Sequence, residues 1–274
     1  MLVFEEEYRL LSQEGHLTKS SLLAGLNAIR RANIDDYGRG YFYSGLFELS
    51  IGFERLMKIA VILQHKLEND NVNPTDKQLR SYGHNISKLY QASSQIANKH
   101  NIEMVCSDAQ REILDVLSAF GTGSRYYNLN QLAESSHHED PLKMWSKVIN
   151  RHIWCLRHST RQKLEENAFS YVDANGLASA WYSGRNINGD LMMMSEYHYL
   201  YHATEKANFH IVWSVISLLT PFYSLLMKQS QDLHVLADLL GEKQTVPYMF
   251  EFFPFFLAPK SLVLKRKSWG VKFA

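Results

Sequence analysis

The chain has 274 residues, a formal net charge of +1 at neutral pH, 46% hydrophobic residues and 21% charged residues. That composition excludes a disordered chain, and the balanced charge excludes a global attraction for nucleic acid, so any such contact has to be a local patch. The two cysteines, Cys106 and Cys155, form no disulfide framework, and a reduced, cytoplasmic setting is the expectation.

The opening segment, MLVFEEEYRLL, is acidic and lacks the basic region and apolar run of a signal peptide. A first amphipathic helix is expected from Thr18 to Ser21 onward, where hydroxyl side chains can cap it and Leu22, Leu23, Leu26 and Ile29 follow. Gly38 and Gly40 interrupt the pattern. From Phe42 to Leu67 the residues Phe42, Leu46, Leu49, Phe53, Leu56, Ala60, Leu63 and Leu67 alternate steps of four and three, which draws one apolar stripe down a long helix. Gly45 and Gly52 sit inside that helix at a cost of roughly 1 kcal/mol each, and they predict the close approach of another backbone.

Asn73-Pro74 begins a turn, Thr75 to Ala97 reads as a third helical region, and Asp108 to Phe120 as a fourth, ended by Gly121-Thr122-Gly123. After a polar loop, Pro141 can start a helix whose apolar positions, Leu142, Trp145, Val148, Ile149, Ile153, Leu156 and Leu164, carry it to about Glu166. No period-two strand pattern interrupts residues 18 to 166. The expected fold class is all-α, with an up-and-down helical bundle over residues 1–168. Residues 169–274 form a mostly helical, aromatic-rich C-terminal region, either separate or packed on the same core. Within it, Tyr171 to Gly189 reads as loop with a short hairpin, Glu196 to Met227 as a helix kinked or ended near Pro221, and Gln231 to Leu240 as a shorter helix stopped by Gly241. The tail with Pro247, Pro254 and Pro259 reads as irregular or strand-like. Phe209 to Met227 has no Lys, Arg, Asp or Glu, yet its Ser, Thr, His and Pro favour a buried core helix over a membrane span.

The residues best suited to chemistry are Arg151, His152 and His158. On one continuous helix, positions seven apart fall ~20° short of two full turns, so Arg151 and His158 would share a face ~10.5 Å apart. A guanidinium can grip a phosphate in a bidentate fork and an imidazole can move a proton, the two requirements of metal-free RNA cleavage by the 2′-hydroxyl. The alternative is a solvated helix face shared with Arg157 and Arg161. Glu54 and Lys58 are four apart and could be only a surface pair. His198 and His202 have helical ligand spacing but no Glu follows the first; Cys155 and His158, with His152 nearby, could share a metal only if the fold brings a further ligand, and neither metal nor cofactor is expected. In the tail, Lys260, Lys265, Arg266, Lys267 and Lys272 lie among Trp269 and Phe273, a pattern that can hold single-stranded nucleic acid or simply form a solvated terminus.

Arg151, polar His152 and then His158 after six intervening residues resemble the Arg–polar–His motif of the HEPN superfamily. Gly83-His84-Asn85-Ile86-Ser87-Lys88-Leu89 is similar to a Gly-His-Asp-Leu…Leu helix start in HEPN bundles that partner nucleotidyltransferases. Arg125-Tyr126-Tyr127-Asn128-Leu129 is similar to a later Arg-Tyr…Leu element, with Tyr127 where Pro is common. Glu54 and Lys58 resemble a Glu-three-Lys pairing of some members. The resemblance spans about residues 18–165. It implies a dimeric endoribonuclease of stress response or phage defence, with Arg151 holding the phosphate, His158 as acid or base and His152 orienting. It equally implies a non-catalytic module that dimerises or binds a nucleotide through His84, Arg125 and Tyr126, with a nucleotidyltransferase or other operon partner and no membrane.

Overall fold

The computed structural model describes residues 6–35, 40–135 and 138–270. Its secondary structure is almost wholly helical, with one two-stranded sheet among the described residues. Two long helices, α1 (Glu6–Arg31) and α2 (Gly40–Glu68), form the first hairpin and the most intimate contact in the bundle. The apolar stripe of α2 is buried as its period requires: Phe42, Leu46, Leu49, Phe53, Leu56, Ala60 and Leu63 are each 0% exposed. The glycines explain how close the pair comes. A Cβ on Gly45 would stand 2.6 Å from Ile29, and one on Gly52 would stand 2.7 Å from Leu22. The fit is reciprocal, because a Cβ on Gly25 of α1 would meet Leu49 at 2.6 Å and its backbone nitrogen at 2.9 Å. Each helix thus lodges large side chains where the other has none.

Helix α1 begins at Glu6, well before the expected start near Thr18. Its extra turns are polar and bury mainly Leu11, Gly15 and Thr18; the aromatic ring of Phe252 from the far tail packs over Gly15. At this same open end of the hairpin, Lys66 is fully buried. Its ammonium donates to Glu7 Oε1 at 2.6 Å and to the Asn71 carbonyl at 2.8 Å.

The third helical region divides into α3 (Asp76–Arg80) and α4 (Ile86–Lys99). Gly83, with φ of +56°, turns the chain between them, and Asn85 caps α4 by accepting from the Lys88 amide at 2.8 Å. Next come α5 (Asp108–Thr122), a 3₁₀ turn over Ser124–Tyr126 and the short α6 (Tyr127–Leu132). Helix α7 runs only from Pro141 to Trp154, and α8 (His158–Ala174) starts afresh, so the single helix expected to reach Glu166 is not formed. Leu156, 7% exposed, is drawn into the core at the break, and Arg157 takes an extended backbone before α8. Residue 168 therefore lies inside α8, and α8 packs on the helix that follows it.

A hairpin of β1 (Trp181–Arg185) and β2 (Leu191–Met193), antiparallel, leads into α9 (Met194–Leu240). Helix α9 has 47 residues and passes through Pro221 without ending, contrary to the two helices expected there. Proline removes one backbone donor, but Phe222, Leu225 and Leu226 beyond it are 0% exposed, and their burial holds the helical course. The apolar Phe209–Met227 stretch belongs to this helix, and half of the helix's most apolar window is buried in the bundle. Of the irregular or strand-like tail expected, the described residues hold no strand. The tail makes two 3₁₀ turns, Met249–Phe252 and Pro254–Leu257, and α10 (Lys260–Val263), with Phe253, Phe255 and Phe256 buried against α9.

If the interlock of α1 and α2 is the limiting fit, Gly25→Ala should destabilise the protein by about 1–3 kcal/mol, although alanine is the better helix former by about 1 kcal/mol. Gly40→Ala, where a Cβ meets nothing within 4 Å, should be neutral or stabilising. Urea unfolding followed by circular dichroism distinguishes the two.

Candidate functional site

The break between α7 and α8 separates the residues that the sequence grouped for catalysis. Arg151 lies on α7 and reaches α5, where Glu112 takes it in a bidentate grip: its Nε donates to Glu112 Oε2 at 2.7 Å and its Nη2 donates to Oε1. His158 is the first residue of α8 and lines a pocket between α8 and α9 instead. His152 is 4% exposed. Its Nδ1–H donates to the Val148 carbonyl at 2.8 Å, which leaves Nε2 to accept the Ser214 hydroxyl of α9 at 2.9 Å. Burial lowers the pKa of His152, with the Val148 hydrogen bond acting in the opposite sense. Its surroundings are those of a neutral packing histidine that joins α7 to α9. The shared helix face that supported Arg151, His152 and His158 as one catalytic set does not exist in this fold.

The other set does assemble. Glu54 and Lys58 lie on the outer face of α2, and Lys58 Nζ donates to Glu54 Oε1 at 2.7 Å. His84, thirty residues on, brings its Nδ1 to 2.9 Å from Glu54 Oε2. The turn at Gly83 delivers it there, and Gly121 of α5 admits the loop, since a Cβ at 121 would stand 2.9 Å from the His84 carbonyl oxygen. Burial pushes the Glu54 carboxyl upward, but the hydrogen bonds and charges of Lys58 and His84 outweigh that and leave its pKa below the ordinary value. An ionised Glu54 accepts from the Nδ1–H of this largely exposed ring, which orients the imidazole at the surface.

Farther along α2 is a groove of about 330 Å³ lined by Tyr43, Ser44, Phe47, Glu48, Phe120, Arg125 and Tyr126. Phe47, Glu54 and Lys58, spaced seven and four, fall within ~40° of one another around α2, over ~16 Å of its length. The Arg125 guanidinium lies 5.1 Å from the centre of the Tyr126 ring, and its Nε is buried without a hydrogen-bond partner. Burial raises the Tyr43 phenol to about 12, so it stays protonated as a donor at the groove. Tyr43 and Phe47 were absent from the sequence-derived set, although the Phe47–Glu54–Lys58 spacing was a signal that could have found them.

Asn85, in the place of an Asp, is occupied as a helix cap. In the basic tail Trp269 is 2% exposed and hydrogen-bonds Asn27 through its backbone, so it is not free to stack on a base; Lys272 and Phe273 lie outside the described residues. His198 stacks on Tyr171 at 4.3 Å and meets His202 edge-on at 4.8 Å. Among the described residues no three His, Cys, Asp or Glu side chains are grouped as a metal ion would require.

No protein-family model, no curated protein and no solved structure matches this chain. The geometry therefore carries the functional reading.

Two titrations check these assignments. Glu54 has a depressed pKa in the folded state, so its contribution is complete above the ordinary carboxyl value of 4.5 and is lost as the pH falls through the folded value. Glu54→Gln should lower the melting temperature at pH 7, and the gap to wild type should close in acid. His152 is buried neutral, so its contribution is complete above 6.5 and declines as the pH falls below it. His152→Ala should cost about 2–3 kcal/mol at pH 7.5, through a cavity and two unpaired polar groups, and should flatten the loss of stability between pH 7 and pH 5.

Proposed function

We propose that this chain is a helical binding module for single-stranded RNA or its nucleotides, and that the outer face of α2 is the site. The observation that carries the reading is the convergence of residues from three separate segments on that face. Glu54 and Lys58 come from α2, His84 from the turn before α4, and Arg125 with Tyr126 from the turn after α5. Along a strand, Lys58 and the Arg125 guanidinium can each take a phosphate oxygen and the exposed ring of His84 can meet a ribose hydroxyl, while a base stacks on the half-exposed Tyr126 and on Phe47. The strip is longer than a lone phosphate needs, which favours a nucleotide or a short strand over a simple ion. The resemblance to HEPN bundles points the same way, because these are the residues it marks for nucleotide binding. Glu54 keeps the set from being uniformly basic and fixes the orientation of His84, which favours a defined ligand pose over non-specific attraction.

The endoribonuclease implied by the same resemblance is not adopted. Arg151 is committed to Glu112, His158 belongs to a different pocket, and His152 is buried. A partner-docking or dimerising role is compatible with the binding module and adds nothing to the chemistry of this face.

Fluorescence anisotropy with a labelled single-stranded RNA, competed by ATP, tests the proposal. Binding should weaken with added salt, and Arg125→Gln or Lys58→Gln should each reduce affinity about tenfold, equivalent to ~1.4 kcal/mol. Arg151→Gln should change it less than twofold. Binding unchanged in a Lys58→Gln/Arg125→Gln double variant would refute the site, and RNA cleavage abolished by His158→Ala would return the nuclease reading.

A further inference from the structure

A second pocket, of about 460 Å³, opens between α8 and the first turns of α9 and is separate from the α2 face. Its lining includes Trp154, Arg161, Glu165, Phe169, Glu196 and Tyr199, together with His158. Of these residues the sequence marked only His158 as a candidate and read Arg161 as part of a solvated face, since the break after Trp154 and the approach of α9 are what gather them.

Three features define what this pocket can hold. The first is aromatic: Trp154 is 72% exposed and Phe169 is 53% exposed, two rigid rings standing in water at a concave site rather than in the core. Tyr199 adds a third ring. Flat apolar faces around a cavity of this size suit a planar ligand, which would cover them. The second is a guanidinium with spare capacity. Arg161 lies with its carbon centre 4.6 Å from the Trp154 ring centre, and its Nε is buried with no hydrogen-bond partner. A buried donor left unmade is costly, and turning the guanidinium onto an oxyanion of a ligand would remove that cost. The third is the pair of carboxylates, Glu165 and Glu196, contributed by opposite walls; they accept hydrogen bonds and favour a ligand that carries N–H donors as well as an anion.

We infer that this pocket binds a small molecule in which a flat aromatic ring bearing N–H donors is joined to an oxyanion, with Arg161 on the oxyanion, Trp154 and Phe169 on the ring, and Glu165 and Glu196 on the N–H groups. Two sources share that chemistry, a nucleoside monophosphate and an aromatic amino acid. Neither depends on the α2 face.

Isothermal titration calorimetry on the full chain separates these sources, with AMP and L-tryptophan as probes and adenosine and tryptamine as their counterparts without the oxyanion. At least one anionic probe should bind saturably, and at least tenfold more tightly than its counterpart. AMP alone would mark the nucleotide source and tryptophan alone the amino acid. Arg161→Gln should reduce the advantage of the anionic probe, and Phe169→Ala should weaken both members of the pair, each in a protein whose circular dichroism matches wild type. Lys58→Gln/Arg125→Gln, which removes nucleotide bound at the α2 face, should keep the anionic advantage, and Arg161→Gln added to that variant should erase it, which separates this pocket from the α2 site. Absence of saturable binding by both anionic probes up to millimolar concentration would overturn the inference. An anionic advantage that disappears in Lys58→Gln/Arg125→Gln, or survives Arg161→Gln added to that variant, would also overturn it.

Discussion

The packing of α1 on α2 is the constraint from which the rest of the molecule follows. Three glycines, Gly25, Gly45 and Gly52, let Leu49, Ile29 and Leu22 cross between the helices, which sets both the distance and the register of the pair. Protein interiors tolerate little misfit, so such an interlock admits few alternative alignments. With the stripe of α2 fixed inward, its opposite face is fixed outward. That is why Phe47, Glu54 and Lys58 are presented together, and why the turns before α4 and after α5 meet them there.

The arginines show how the same side chain takes different roles according to what the fold places beside it. Arg151 finds Glu112 across the α5–α7 contact and is satisfied by two hydrogen bonds. Arg125 and Arg161 instead lie against aromatic rings and keep a buried Nε without a partner. A satisfied guanidinium is a structural tie, whereas one that rests on a ring and retains an unused donor is prepared for an acceptor from outside. Sequence alone does not separate these cases, because the deciding neighbours are remote in the chain.

Much of the fold was legible in local pattern. The period of α2, its two glycines as a mark of close backbone approach, and the extent of α5 are all physical consequences of spacing that the structure reproduces. The errors share a cause. Cys155-Leu156-Arg157 contains neither glycine nor proline, yet the chain turns there, because Leu156 is buried and α8 must cross to α9. Pro221 is a local breaker, yet α9 runs through it, because the side chains on both flanks are buried in a common core. The polar start of α1 has little apolar period and is held by Phe252 from the distant tail. At the site, the Glu54–Lys58 pair was readable from its spacing of four. The approach of His84 to Glu54, thirty residues apart, had no signal in local spacing, and the Trp154–Arg161–Glu196 pocket had none because two chain reversals create it.

Buried Lys66 ties the first turn of α1, through Glu7, to the corner that follows α2, through Asn71. An ammonium inside the bundle is tolerable only while that carboxylate stays in place, and removing one member of a buried pair costs about 3–5 kcal/mol. Trimming of the chain by a peptidase as far as Glu7 would therefore do more than shorten a helix. It would strand a positive charge beneath the surface and loosen a corner nearly sixty residues away, making the amino-terminal turn a latch for the hairpin rather than a dispensable lead-in.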